Sequence, residues 1–330
     1  MSLSINTNAS ALVAIETLDA TQTELSNTEN EVSTGNKVNN ASDNAAAYSI
    51  SQQLSGQSSG LSAVNSGLTF AAQVVSTATT AVSSILTDLK SIQSLISTLT
   101  DNSSSSSSTS DTSDSITQEL NAINVIARNA TLSGVNLLVS SASDGVGIQG
   151  TSLTYLTSLG GDTNTVTGLY SDASADAAAS ATSISAGLTG FSGTSLTDAL
   201  GLTQGVNAQD TATANVFTTA DGTALNTTNF DGTTGGSSTA QQMVALIEQA
   251  ITAMTSIASK LGSNTSIISS MSSFGTTLSD NITQGIGALV DADMSAASAQ
   301  LTSLQTKQSL AIKSLTIANT QSQSILSLFQ

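Results

Sequence analysis

Asp291 and Asp293, two residues apart near the end of the chain, form a pair of carboxylates of the kind that can divide general-acid and general-base work. No nucleophile–base constellation accompanies them, so the expectation is helix-start or interface electrostatics. The chain contains no His and no Cys. Zinc, haem and iron–sulfur clusters therefore lose their usual ligands, and Ser-His-Asp and Cys-His catalysis are excluded. Asp162, Asp221 and Asp231 sit in turn-like sequence and carry the oxygen atoms that calcium takes. No twelve-residue EF loop or Gly-Gly-x-Gly-x-Asp repeat encloses them, and a solvated surface is expected. The density of Ser and Thr leaves O-glycosylation chemically open. The reading is of a protein that is not an enzyme, with no cofactor and no metal.

Charge narrows the partners. The formal net charge is −17, and the six basic residues, Lys37, Lys90, Arg128, Lys260, Lys307 and Lys313, are scattered with no two adjoining. Phosphate binding needs clustered Lys and Arg, so neither nucleic acid nor an anionic membrane is an expected partner. The acidity reads as solubility and self-repulsion of monomers. The first basic residue is Lys37, so no basic segment precedes an apolar one and a cleavable signal peptide is not expected. No uninterrupted apolar run is long enough to span a membrane. If the chain is secreted, another route must carry it.

With chemistry so sparse, periodicity carries the reading. Ile50, Leu54, Gln57, Leu61, Val64, Leu68, Ala71, Val75, Ala78, Val82, Ile85, Leu89, Ile92, Ile96 and Leu99 step by four and three without a slip. That is a coiled-coil seam with a period of 3.5. Ser42-Asp43 offers an N-cap. A helix from there to Leu99 would run roughly 85 Å at about 1.5 Å per residue. The polar stretch from Asp101 to Asp114 reads as a loop. Ile116, Leu120, Ile123, Ala127 and Ala130 then give a shorter helix folding back antiparallel.

From about Gly134 to Ser238, Gly, Thr, Ser and Asp dominate. Val146-Gly147-Ile148 and Val216-Phe217-Thr218-Thr219 look like strands between turns such as Asp221-Gly222 and Asp231-Gly232, and Asp172 to Ala181 like a short helix. This stretch reads as a separate, exposed unit. Helical spacing returns with Met243, Ile247, Ala250, Met254, Ile257, Leu261, Asn264, Ile268, Met271, Gly275, Leu278 and Ile282, and its phase breaks at Gly285-Ile286-Gly287. A new seam follows, Met294, Ala297, Leu301, Leu304, Gln308, Ala311, Leu315, Ala318, Ser322, Ile325 and Phe329. The N-terminal arm carries its counterpart, Ala11, Ile15, Leu18, Gln22, Leu25, Glu29 and Val32, closed by Gly35.

The order is nearly palindromic. The predicted fold is mainly α: an elongated coiled-coil or helical-bundle rod formed by paired N- and C-terminal segments, with a β-rich outer domain inserted between them. Residues 1–40 and 290–330 form terminal helical arms, 41–150 and 239–289 the long-helix rod, and 151–238 the variable, surface-exposed outer domain. Each arm has few seam residues and many Ser, Thr and Asn, which are mediocre helix formers. The arms are therefore expected to complete themselves against other copies, through Ala11, Ile15, Leu18, Leu25, Val32, Met294, Leu301, Leu304, Leu315, Ile325, Leu328 and Phe329.

Several segments resemble the bacterial flagellins. Ile5-Asn6-Thr7-Asn8 before Ala11-Leu12 resembles the family's opening. The run from Val32 to Ala46 is similar to its "LSSGxRINSAxDDAAG" block, Gln53 to Leu61 to "LxxQxxGL", and Val290-Asp291-Ala292-Asp293-Met294 to "DADMA". Ile317-Ala318-Asn319 and Ser324 to Phe329 resemble its ending. Departures are Glu31-Val32 for the usual Arg-Leu, Asn44 for an Asp, Ala47 for a Gly and Ser322 for a Pro. The resemblance covers about the first 140 and last 90 residues. It implies a structural subunit that self-assembles into the extracellular flagellar filament. It also implies unfolded export through the flagellar type III apparatus, an export chaperone on the C-terminal arm, and contacts with the filament cap and hook-associated proteins. Many flagellins present "LQRIRELAVQ" to an innate immune toll-like receptor; Asp88 and Ser91 replace the first Arg and the Glu here, which implies weak recognition. A hook–filament junction protein shares similar arms and is the alternative, with an adhesin-like secreted surface protein behind it.

Overall fold

The structure is a computed structural model of the 330-residue chain and describes residues 8–101, 104–139, 147–167, 196–206, 212–218, 225 and 240–327. Among them are the helices α1 (Ala9–Thr34), α2 (Ala45–Asp101), α3 (Ser106–Asn129), α4 (Leu196–Ala199), α5 (Ala240–Val290) and α6 (Met294–Ser327). The strands are β1 (Thr131–Leu132), β2 (Val135–Asn136), β3 (Leu153–Leu156), β4 (Thr163–Val166), β5 (Thr203–Val206) and β6 (Ala212–Asn215), paired antiparallel as β1–β2, β3–β4 and β5–β6. The chain divides into two compact units, residues 1–60 with 277–330 and residues 61–276, and α2 and α5 supply residues to both.

The unit of residues 61–276 is built on the predicted seams. Every α2 seam residue from Leu61 to Leu99 is buried, as are Ile116, Leu120, Ile123, Ala127 and Ala130 of the α3 stretch and Met243, Ile247, Ala250, Met254, Ile257, Leu261 and Ile268 of α5. All of them but Leu61 belong to one apolar cluster. By composition alone α2 could cross a membrane, since its most apolar 18 residues reach a mean hydropathy of 1.2 although Ser and Thr interrupt them. Its apolar stripe is spent on the protein core instead.

Several expectations change. The polar stretch 106–114 is helix, not loop: Ser105 caps α3, and Thr109, Thr112 and Ser115 return their hydroxyls to carbonyls four residues back. A hydroxyl satisfied in this way can be buried, and those of Thr109 and Thr112 are; the buried Ser113 hydroxyl instead meets Thr218 and Asn215. The cap of α2 is Asn44, whose Oδ1 accepts from the Ala47 N–H at 3.1 Å. Asp43 instead accepts from the N–H groups of Asn39 and Asn40 and closes the preceding loop. α5 runs through Gly285-Ile286-Gly287 without ending and stops at Val290. Within the first unit the α2 stripe is Ala47, Ser51, Leu54 and Ser58: the predicted Leu54 stays in it, but its partner column shifts by one residue from Ile50 and Gln57 to Ser51 and Ser58, and Ile50 stays 47% exposed.

The described parts of the insert share the helical core and build none of their own. Leu153, Tyr155, Val166, Leu196, Leu200, Leu202, Val216 and Phe217 belong to the same cluster as α2, α3 and α5. Asparagines fasten them. Asn215 Nδ2 donates to the Ser113 carbonyl and hydroxyl and to Thr117, while its Oδ1 accepts from the N–H groups of Phe217 and Thr218. That side-chain turn bends the chain after β6, so Val216-Phe217 is a buried corner and not the predicted strand. Asn124 holds Thr197 at the start of α4, and Asn136 holds the end of α3. Ile148 is irregular; Val146, Thr219, the turns at 221–222 and 231–232 and the helix at 172–181 lie outside the described residues.

Candidate assembly surface

In the unit of residues 1–60 and 277–330, α1 and α6 pack antiparallel. Asn8 starts α1: its Oδ1 accepts from the Ala11 N–H at 3.2 Å, and its Nδ2 donates to the Ala318 carbonyl at 2.9 Å. At the other end Gly35 takes φ 74°, a left-handed conformation that a side chain would strain, and ends α1 by donating to Glu31. The chain then meets the segment between α5 and α6 in a short backbone clamp. Lys37 and Val38 donate to the Val290 carbonyl, and Ala292 donates to the Gly35 carbonyl. Asn36 and Asp291 form the bridge. Asp293 caps α6 by accepting from Ser295 and Ala296. Both residues are exposed at the helix junction: Asp293 caps α6 with its carboxylate, and Asp291 is held through its backbone.

The helix pair buries a narrow stripe. On α1 this is Ala11, Ala14, Leu18, Thr21, Leu25, Thr28 and Val32, all buried or half-buried. The predicted column Ala11, Leu18, Leu25 and Val32 lies in it, but its partner column is Ala14, Thr21 and Thr28, with Ile15 left 43% exposed and Gln22 and Glu29 outside. Small residues win because they let the helices approach, and Thr21 and Thr28 satisfy their hydroxyls on the carbonyls of Thr17 and Glu24. On α6 the buried or half-buried stripe is Ala297, Leu301, Leu304, Gln308, Ala311, Leu315 and Ala318. Met294, predicted to open it, is 43% exposed. Ile325 falls on α6 outside the described side chains, and Leu328 and Phe329 lie outside the described residues.

Much apolar surface stays uncovered. A groove of about 580 Å³ runs along one side of the pair, lined by Val13, Ala14, Leu310, Ala311 and Ile317 with Lys307 among them. Val13, Leu310 and Ile317 are 62%, 63% and 68% exposed. Leu12, Val13, Leu310, Ile312 and Ile317 lie off both seams, and a search for seams passes over them. Their signal was available: large apolar residues at non-seam positions of helices otherwise filled with Ser, Thr and Gln. The charges are also sorted. α1 carries Glu16, Asp19, Glu24, Glu29 and Glu31 and no basic residue, whereas α6 carries Lys307 and Lys313 and no acidic one. Among the described residues, no group of three or more His, Cys, Asp or Glu side chains is placed to hold a metal ion.

The chain's two terminal helices pair with each other and leave apolar surface open, an arrangement suited to a structural subunit. The relatives say which one. The model of the bacterial flagellin N-terminal helical region matches residues 5–143, and that of the C-terminal helical region matches 244–329. The chain is 31% identical to flagellin C of Rhizobium meliloti over 99% of both proteins. It is also 31% identical to a flagellin of Brucella melitensis, again over 99% of both. Against flagellin A of Rhizobium meliloti identity rises to 51%, over 27% of this chain and 22% of that one. The chain belongs to the bacterial flagellins, the structural subunits of the flagellar filament. The hook–filament junction and adhesin alternatives are not favoured.

Proposed function

We propose that this flagellin polymerises through its terminal helix pair, with α1 and α6 of neighbouring copies forming the inner wall of the filament. The observation that carries the reading is the uncovered groove along α1 and α6, lined by Val13, Leu310 and Ile317. A monomer seldom leaves a contiguous apolar surface of that kind without a partner. The predicted contact residues Ala11, Leu18, Leu25, Val32, Leu301, Leu304 and Leu315 hold the pair together, and the exposed Ile15 and Met294 are free to meet the next copy. Ile325, Leu328 and Phe329 are proposed to extend the contact. The polymer transmits torque and performs no catalysis.

The protein is proposed to be exported without signal-peptide cleavage, accompanied by a chaperone on the α6 region, and laid down beneath a cap on a hook-associated base. Support comes from family membership. Deleting residues 295–330 and imaging the secreted material tests the assembly reading. Soluble subunits and no filaments are expected; normal filaments from the truncated protein would sink it.

A further inference from the structure

The groove along α1 and α6 has a counterpart on the other side of the same pair. At about 100° per residue, Leu12 and Ile15 project from α1 on the far side of its buried stripe from Val13. Ile312 projects likewise from α6, opposite Leu310 and Ile317. These three are uncovered too, at 62%, 43% and 51% exposure. Asp19, one turn beyond Ile15, belongs to the same flank. The antiparallel register, fixed by Asn8 against Ala318 and Asn36 against Asp291, places Asp19 at the height of Lys307 in the groove. Within one copy they face away from each other, and neither forms an ion pair among the described residues.

We infer that the Leu12–Ile15–Asp19–Ile312 flank of one copy docks into the Val13–Leu310–Ile317–Lys307 groove of the next copy. The occupant is a second copy because the two faces complement each other: both apolar, one marked by an acid and the other by a base at the same height. Asp19 and Lys307 themselves lie on helices of uniform and opposite charge. Each copy carries both halves, so the contact is heterologous and repeats without closing on a pair. The inference rests on the filament reading and adds which faces meet.

The absence of native Cys makes the test clean. A chain carrying Leu12→Cys and Leu310→Cys is assembled on filament seeds and bridged with a short bis-maleimide. The expected result is a ladder of covalent multimers on a denaturing gel, with each single variant remaining monomeric. Dimers from Leu12→Cys alone would reveal flank-to-flank pairing and overturn the inference, as would filaments that yield no ladder. If the double variant does not assemble, Lys307→Glu serves in its place. Its critical concentration for seeded growth should rise about tenfold and fall back when Asp19→Lys is added; an unchanged value overturns the proposal. Normal filaments without cross-links reject this docking mode alone, whereas seeds that fail to grow from unaltered protein reject the filament reading itself.

Discussion

Asn215 joins more of the molecule than any other described side chain near β6. Truncation to Ala removes its donor to Ser113 and Thr117 and the acceptor that its Oδ1 offers to the buried N–H groups of Phe217 and Thr218. Losing one side of a buried, saturated network costs far more than the hydrogen bonds' net worth. Asn215→Ala should destabilise the unit of residues 61–276 by about 2–4 kcal/mol in urea melts. Asp88 behaves in the opposite way. Burial, and then the neighbouring Glu119 carboxylate, raise its pKa above the ordinary carboxylate range, and its Oδ2 has no hydrogen-bond partner. The folded state thus holds the Asp88 proton more tightly than the unfolded chain does. Stability is unaffected below the ordinary carboxylate pKa and falls as pH rises from there through the raised folded value. Asp88→Asn should melt at a higher temperature than the parent at pH 7 and at the same temperature near pH 3, as followed by circular dichroism.

Among the elements, the contrast between α2 and α1 governs behaviour. From Leu61 to Leu99 α2 is buried along its whole seam, whereas α1 fully buries only Ala11, Thr21, Leu25 and Thr28. A helix with so little covered surface gains its stability from partners. In dilute monomer the amides of α1 and α6 should exchange with deuterium within minutes while those of α2 stay protected; in the filament all three should be protected. Equal protection of α1 and α2 in the monomer would contradict this. The same contrast explains how much was legible beforehand. Long seams of Leu, Ile and Val identified α2, α3 and α5 because large apolar residues left no choice of face. On α1 the sequence offered Ile15 and the structure preferred Ala14, Thr21 and Thr28. A Thr that returns its hydroxyl to its own helix is polar in composition but able to pack, and residue type alone does not reveal it. The α3 start was hidden in the same way behind Thr109 and Thr112. The groove escaped notice because its residues border the seam, and only the helix pairing shows that Val13, Leu310 and Ile317 share one side.

For the whole molecule, assembly should act as a ligand does, stabilising only the folded form it binds. Filaments should show a higher melting temperature for the helical signal of residues 1–60 and 277–330 than monomers do. The signal of residues 61–276 should shift less, since its core is complete within one chain. Scanning calorimetry of both forms checks this, and identical thermograms would argue against it.

The clamp between Gly35–Val38 and Val290–Ala292 ties together positions at opposite ends of the polypeptide. The groove likewise needs residues near position 13 and near position 310. A chain released early from the ribosome lacks the second set and never forms the surface. Synthesis runs from the amino end, so sticking competence arrives only with the final tenth of the molecule. Under the proposed assembly mode, fragments would be barred from the polymer, a form of proofreading written into chain order.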